Sequence, residues 1–255
     1  MTKKITKLML NGEEYEIREY QAGWQPDPSR TIFYYDFEDS SNRLKDTSWN
    51  NNDAISVSNI TYWTVWGQTV AQTTWVVPCG ININWNISWS IGTGDFTVSF
   101  WTYCVDPWNN NCSPAIFSVF YNASPRTWIS IFYNPRNAYS QWDAVLWRLT
   151  WSNQKAWTRQ ASTMNNAWHH FVMTRSSWTV TCYLDGVQDV APYTDNTALP
   201  SNNNTQWYLL SRSNEASQSF PSWAKGDKYI LENVWRTAQE ISDYYNLTKW
   251  DYWIS

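Results

Sequence analysis

From about Thr31 onward, short runs of alternating apolar and polar residues are separated by polar loops. Asp95-Phe96-Thr97-Val98-Ser99-Phe100-Trp101-Thr102-Tyr103 has period two, which places Phe96, Val98 and Phe100 on one face of a strand. Further strand-like runs are Ile32–Phe37, Ala115–Tyr121, Ile129–Tyr133, Ala144–Leu149, His169–Arg175, Thr179–Leu184, Gln206–Leu210 and Tyr229–Val234. The period changes once. Thr237–Tyr245 reads as a short helix, with Thr237 as N-cap and Glu240 completing a capping box. Many short strands at regular spacing predict an all-β, two-sheet antiparallel sandwich or barrel with one short C-terminal helix.

Residues 1–30 stand apart in pattern. Two β-capable runs flank Asn11-Gly12, a hairpin signal, and Gln25-Pro26-Asp27-Pro28-Ser29 follows as a linker. The predicted organisation is an N-terminal hairpin or attachment segment over 1–30 and one jelly-roll domain over 31–255. Charged residues make up 16% of the chain and the net charge is −4, which argues against a nucleic-acid partner. No apolar run is long enough for a membrane-spanning helix, and there is no polybasic anchor. The first residues carry too short an apolar stretch for a signal peptide. A protein acting at a cell surface or on a virion would reach it by lysis or after trimming.

Composition changes the picture at one point. The chain has 21 Trp and only 8 Gly, where average usage is about 7% glycine. Many Trp occupy turn-like contexts, as in Ser176-Ser177-Trp178-Thr179, where a hairpin needs positive φ. Two readings account for this. One is recoding: UGA specifies glycine in some lineages and tryptophan in others. The affected positions would be Trp49, Trp63, Trp66, Trp75, Trp85, Trp89, Trp108, Trp128, Trp142, Trp151, Trp157, Trp178, Trp223, Trp235, Trp250 and Trp253. The rival is a surface rich in aromatics that stack on sugar. Either way, Trp101 and Trp168 are expected in the core.

Three stretches, in order, resemble the laminin-G-like, concanavalin A-like jelly-roll superfamily. Asp95–Trp101 is similar to the family's "FTxSFW" strand. Ala167-Trp-His-His-Phe-Val-Met-Thr-Arg175 running into Tyr183-Leu-Asp-Gly186 is similar to its "WHHVAxTR…YxDG" hairpin. Tyr229–Val234 with Arg236–Ile241 is similar to its "IDEVRIYNRALSxEEI" ending, with Leu231 in place of the usual Asp and Trp235 in place of Arg. The resemblance implies a binding domain for glycans or surface proteins.

Catalytic motifs are missing from the sequence. Hydrolases on this sandwich carry Glu-x-Asp-x-x-Glu along one strand, and no such run exists here. There is no Gly-x-Ser-x-Gly elbow, P-loop or His-Glu-x-x-His. No zinc site is expected from Cys79, Cys104, Cys112, Cys182, His169 and His170, since no CxxC pair occurs. Cys104 and Cys112 form a small disulfide loop, or all four cysteines are half-buried thiols; the thiols are the expected case. The two histidines alternate on a strand, one in and one out. No cofactor is expected; calcium would draw on Asp185, Asp189, Asp195 and Asp227, though no spacing selects them. Glycan recognition needs an aromatic platform and planar polar groups, and Tyr133, Tyr139, Trp147 and Arg148 are the candidate ligand-binding residues. The functional expectation is a non-catalytic carbohydrate- or surface-binding adhesion module, such as part of a phage tail fibre. A purely structural virion or surface component is the alternative, with residues 1–30 docking onto a larger particle, and a glycoside hydrolase the distant third.

Overall fold

The computed structural model describes residues 5–10, 13–18, 26–74, 76, 78–83, 91–105, 115–121, 127–133, 145–150, 154–156, 164, 166–198, 205–211 and 223–252. Strands β1 (Ile5–Leu10) and β2 (Glu13–Arg18) pair antiparallel as their own two-stranded sheet, with Leu8 opposite Tyr15 and Lys7 opposite Glu16. The sandwich begins with β3 (Thr31–Tyr35), β4 (Ala54–Ser58), β5 (Ile60–Val65), β6 (Gln68–Thr73), β7 (Gly80–Ile83) and β8 (Phe96–Cys104). It continues with β9 (Ala115–Tyr121), β10 (Thr127–Tyr133), β11 (Val145–Thr150), β12 (Gln154–Ala156), β13 (Ala167–Ser176) and β14 (Thr179–Leu184). The short β15 (Val187–Gln188) and β16 (Tyr193–Thr194) precede β17 (Thr205–Leu209), β18 (Lys225–Glu232) and helix α1 (Ala238–Thr248).

One sheet has seven strands in the order β12-β11-β10-β9-β17-β7-β4. The other has nine, in the order β15-β14-β13-β8-β18-β6-β5, with β16 added on β14 and β3 on β18. The strands of all three family-like stretches are neighbours here, as β14-β13-β8-β18. Alternation decides the faces. Phe96, Val98 and Phe100 of β8 and Phe171 and Met173 of β13 enter the core between the sheets. They meet Ile81, Ile83, Phe117, Val119, Ile131, Trp207 and Leu209 from the seven-stranded sheet. At about 25 cal/mol per Å² of apolar surface, this common core is the main stabilising term.

The opposite face of the nine-stranded sheet is also buried, because α1 and the 3-10 turn Lys249–Tyr252 lie on it. Trp101 stacks on Tyr245 with centroids 5.7 Å apart and meets Tyr252 at 4.5 Å. Its Nε1–H donates to Thr248 Oγ1 at 3.2 Å. Trp101 is fully buried and Trp168 is 8% exposed, so both pack as expected. The predicted cap forms: Thr237 Oγ1 accepts from Glu240 N–H at 3.2 Å, and Glu240 Oε2 accepts from Thr237 N–H at 2.8 Å.

As alternation predicts, His169 shares the core face of its strand and His170 the outer face of the sheet, where α1 covers it, so both are buried. The sequence reading names no strand between Phe37 and Asp95, and the structure places β4 to β7 there. Strand β4 is exposed beyond Ala54, and β5 alternates half-buried with exposed residues over Ile60–Trp63, so neither is packed fully into the core. Cys104 is a free, buried thiol; Cys112 lies outside the described residues.

Candidate binding face

Cross-strand partners share a face of a sheet. Ser56 pairs with Asn82, Asn82 with Tyr208, Tyr208 with Ser118, and Ser118 with Ser130. The alternate positions on these strands, Ile81, Ile83, Leu209, Val119 and Ile131, are in the core. The five polar residues therefore form one row on the outer face of the seven-stranded sheet. Register continues the row through Arg148 on β11 and Gln154 on β12.

The row is open at one end and covered in its middle. Ser56 is exposed and Asn82 half-buried, while Ser118 and Ser130 are fully buried and Tyr208 is 2% exposed. Ser118 Oγ donates to the Ser211 carbonyl at 3.0 Å. Ser130 Oγ is buried with no hydrogen-bond partner among the described residues, which for a hydroxyl costs about 1–3 kcal/mol. At the open end, Ser56, Ser58, Pro78, Asn82, Tyr208 and Ser211 line a shallow pocket. Gly80 is required there, since a Cβ would meet Ser211 Cβ at 2.5 Å. Burial pushes the Tyr208 phenol up to about 12, so it stays a neutral donor at physiological pH. Hydroxyls, an amide and a phenol supply both donors and acceptors without a net charge.

The sequence-predicted residues fall around this row. Arg148 stands between Ser130 and Gln154 in register. Trp147 is opposite Ile131, a core residue, and Tyr133 is opposite Val145. Tyr139 lies outside the described residues. Sequence reasoning missed Ser56, Asn82, Tyr208, Ser118 and Ser130, which come from five strands and meet only through register.

A second polar centre lies under α1. Thr97, Ser99, His170, Glu232, Arg236 and Tyr244 surround a small gap. Ser99 Oγ and His170 Nε2 are 2.8 Å apart, and Arg236 makes a two-pronged ion pair with Glu232. Desolvation lowers the His170 imidazole to about 3, so it is neutral. Nearby, Tyr252 O–H donates to Asp227 Oδ2 at 2.5 Å, Lys228 pairs with Asp251, and burial raises Asp227 to about 7. The Lys228–Asp251 and Tyr252–Asp227 pairs fasten the C-terminal segment, while His170 Nδ1 is buried with no hydrogen-bond partner among the described residues.

His169 Nδ1 is 2.9 Å from Asp185 Oδ2, and Asp185 Oδ1 accepts from His170 N–H at 3.0 Å. This carboxylate orients the strand end rather than serving a nucleophile: burial raises the thiol of neighbouring Cys104 well above its ordinary value. Of the aspartates considered for calcium, Asp185 and Asp227 are thus engaged within the protein, and Asp195 Oδ1 accepts from Thr197 N–H. Among the described residues, no cluster of three or more His, Cys, Asp or Glu side chains is placed to hold a metal ion. No helix among them is long and apolar enough to cross a membrane.

Solved structures show how widely this architecture is shared. The binding domain of Paraclostridial Mosquitocidal Protein 1 superposes with a TM-score of 0.65 at 16% identity, over 86% of this chain and 52% of that one. The chain thus spans about half the length of that structure. Domain 4 of AbnA, an extracellular GH43 arabinanase from Geobacillus stearothermophilus solved with arabinotriose, gives 0.60 at 15% identity, covering 84% of this chain and 98% of that one. The Trypanosoma rangeli sialidase gives 0.61 at 13% identity, covering 88% of this chain and 33% of that one. A search of curated protein sequences finds no match. A laminin-G family model, described as the concanavalin A-like lectin/glucanases superfamily, matches residues 80–242, and the chain belongs to that superfamily.

Proposed function

We propose that this chain is a non-catalytic, glycan-binding adhesion module working outside the cell, with the outer face of its seven-stranded sheet as the ligand face. The open end of the polar row, at Ser56 and Asn82, carries this reading. The pocket at its open end offers neutral donors and acceptors, as sugar hydroxyls require. Arg148 extends the row in register; Tyr133, Tyr139 and Trp147 are the proposed aromatic arm, with Trp147 on the face of the core residue Ile131 rather than on the row. Two neighbours lend support, one titled a binding domain and the other an arabinanase domain solved with arabinotriose. The sialidase neighbour keeps a glycosidase reading in view, but the histidines and carboxylates described above are tied up within the fold.

The test is a glycan array followed by calorimetric titration. Binding that weakens at least tenfold in Asn82→Ala and Arg148→Ala, with the fold intact, supports the reading. Loss in Tyr133→Ala or Trp147→Ala alone would move the site to the aromatic arm. Turnover of any glycan refutes non-catalysis. A second reading, a structural component of a virion or surface assembly, draws on the N-terminal hairpin. A two-stranded sheet is marginal alone, so β1 and β2 favour docking on a larger particle such as a phage tail fibre. No glycan binding, with co-purification in a particle lost on deleting residues 1–30, would leave that reading standing.

A further inference from the structure

The tryptophans fall into two classes. Trp101, Trp168 and Trp207 are at most 8% exposed and make ring contacts within the cores. Trp49, Trp63, Trp66, Trp178, Trp223, Trp235 and Trp250 are 44–65% exposed. Backbone geometry marks four of the exposed seven, Trp63, Trp235 and Trp250 being the exceptions. Trp49, Trp66, Trp178 and Trp223 sit at φ of 68°, 50°, 71° and 71°, in the left-handed region that Cβ-bearing residues avoid, and no buried tryptophan does so.

The hairpin turns supply an internal control. Three two-residue turns have positive φ at both central positions, the type I′ geometry. They are Trp66-Gly67 between β5 and β6, Ser177-Trp178 between β13 and β14, and Asp185-Gly186 between β14 and β15. The second central residue is glycine in two of them, at φ of 89° and 75°. In the third, at 71°, it is Trp178. The fold thus demands at 178 what it receives at 67 and 186.

We propose that the cell that makes this protein reads the codon for these seven exposed residues, UGA, as glycine, whereas the buried three are true tryptophans. Stacking on sugar would explain exposure but not positive φ. Nor would it explain the scatter: the seven lie in the β3–β4 loop, on β5, in two hairpin turns, at both ends of β18 and in the C-terminal 3-10 turn. The inference stands independently of the proposed ligand face. It also sharpens that proposal, because it removes the exposed indoles as rival sugar platforms.

One tryptic peptide tests it. No Lys or Arg lies between Ser176 and Arg212, so this peptide carries both Trp178 and Trp207. From protein isolated in its native host, its mass is expected to be lower than the sequence requires by one indolylmethyl-for-hydrogen difference. Fragmentation should place that difference at 178 and leave 207 as tryptophan. Tryptophan at both positions overturns the proposal, and glycine at both overturns the division into two classes. A recombinant pair adds a conformational readout. Glycine at 49, 66, 178 and 223 is expected to raise the melting temperature, while glycine at 101, 168 and 207 should prevent folding. A lower melting temperature for the first variant would count against the proposal.

Discussion

Two buried ionisable groups under the C-terminal segment are expected to cancel in the pH dependence of stability, and one substitution should separate them. Asp227 is held at about 7, against an ordinary 3.8, chiefly by desolvation. Its folded form keeps a proton that the unfolded chain has released, so its contribution to stability falls as pH rises from about 4 to 7. His170 is held at about 3, against 6.5, again by desolvation. The folded chain keeps it neutral where the unfolded chain takes a proton, so its contribution rises with pH from about 3 to 6.5. Each group changes stability by about 1.4 kcal/mol per pH unit, with opposite sign. Between about pH 4 and 6.5 folded and unfolded chains bind the same number of protons at these two sites, and their slopes sum to nearly zero.

Asp227→Asn breaks the balance. Asparagine keeps the volume and can still accept from the Lys228 N–H now bonded to Asp227 Oδ1 at 2.7 Å. Any loss of the Tyr252 hydrogen bond is a constant offset, so the slope is the readout. Urea unfolding of wild type and variant at half-unit steps from pH 4 to 8 gives a difference curve in which other groups drop out. The variant should gain on wild type by about 1.4 kcal/mol per unit, reaching about 4 kcal/mol by pH 7, and then level off. His170→Gln should show the opposite slope below pH 6.5. A flat difference curve for Asp227→Asn would refute the reasoning, because it would mean the carboxylate is ionised and solvated in the folded state.

Two further substitutions probe the scaffold. Thr237→Ala removes the cap that accepts from Glu240 N–H and should cost about 1 kcal/mol in urea unfolding, independent of pH above 5. Arg175 is fully buried and donates to the carbonyls of Gly92, Gly94 and Thr197. Arg175→Met leaves these acceptors unpaired and should cost at least about 3 kcal/mol, with faster amide exchange at residues 91–95 as the local signature.

The central strands of the nine-stranded sheet were legible because apolar residues recur at every second position along them, as at Phe96, Val98 and Phe100. Phe96, Val98 and Phe100 fill the core while Trp101 packs under α1, and Phe171 and Trp168 divide the same way on β13. The capped helix was legible because Thr237 and Glu240 are three residues apart, a purely local signal. Strands β4 and β5 were not legible, because most of their residues are exposed and their pairing rests on neighbours. The His169–His170 pair shows a related gap. Alternation assigned the two faces correctly, but only the tertiary fold reveals that a helix lies over one of them.

The candidate face shows the deeper reason that sites resist reading from one sequence. Ser56, Asn82, Tyr208, Ser118 and Ser130 are each unremarkable in their own strand, and the largest gap among them, from Ser56 to Tyr208, crosses most of the domain. A one-residue slip in any strand would send its polar member into the core and bring out an Ile, Val or Leu. Burial of Ile81, Leu209, Val119 and Ile131 therefore fixes the row as firmly as any contact within it. The two sheets differ in what their outer faces do. On the nine-stranded sheet α1, Tyr252 and the Lys228–Asp251 pair cover the face and hold the C-terminus. On the seven-stranded sheet the same strand alternation leaves a polar row with a pocket at its open end. The two outer faces thus differ in degree: one is covered by the C-terminal segment, and the other is open at Ser56 and Asn82 while Tyr208, Ser118 and Ser130 are buried.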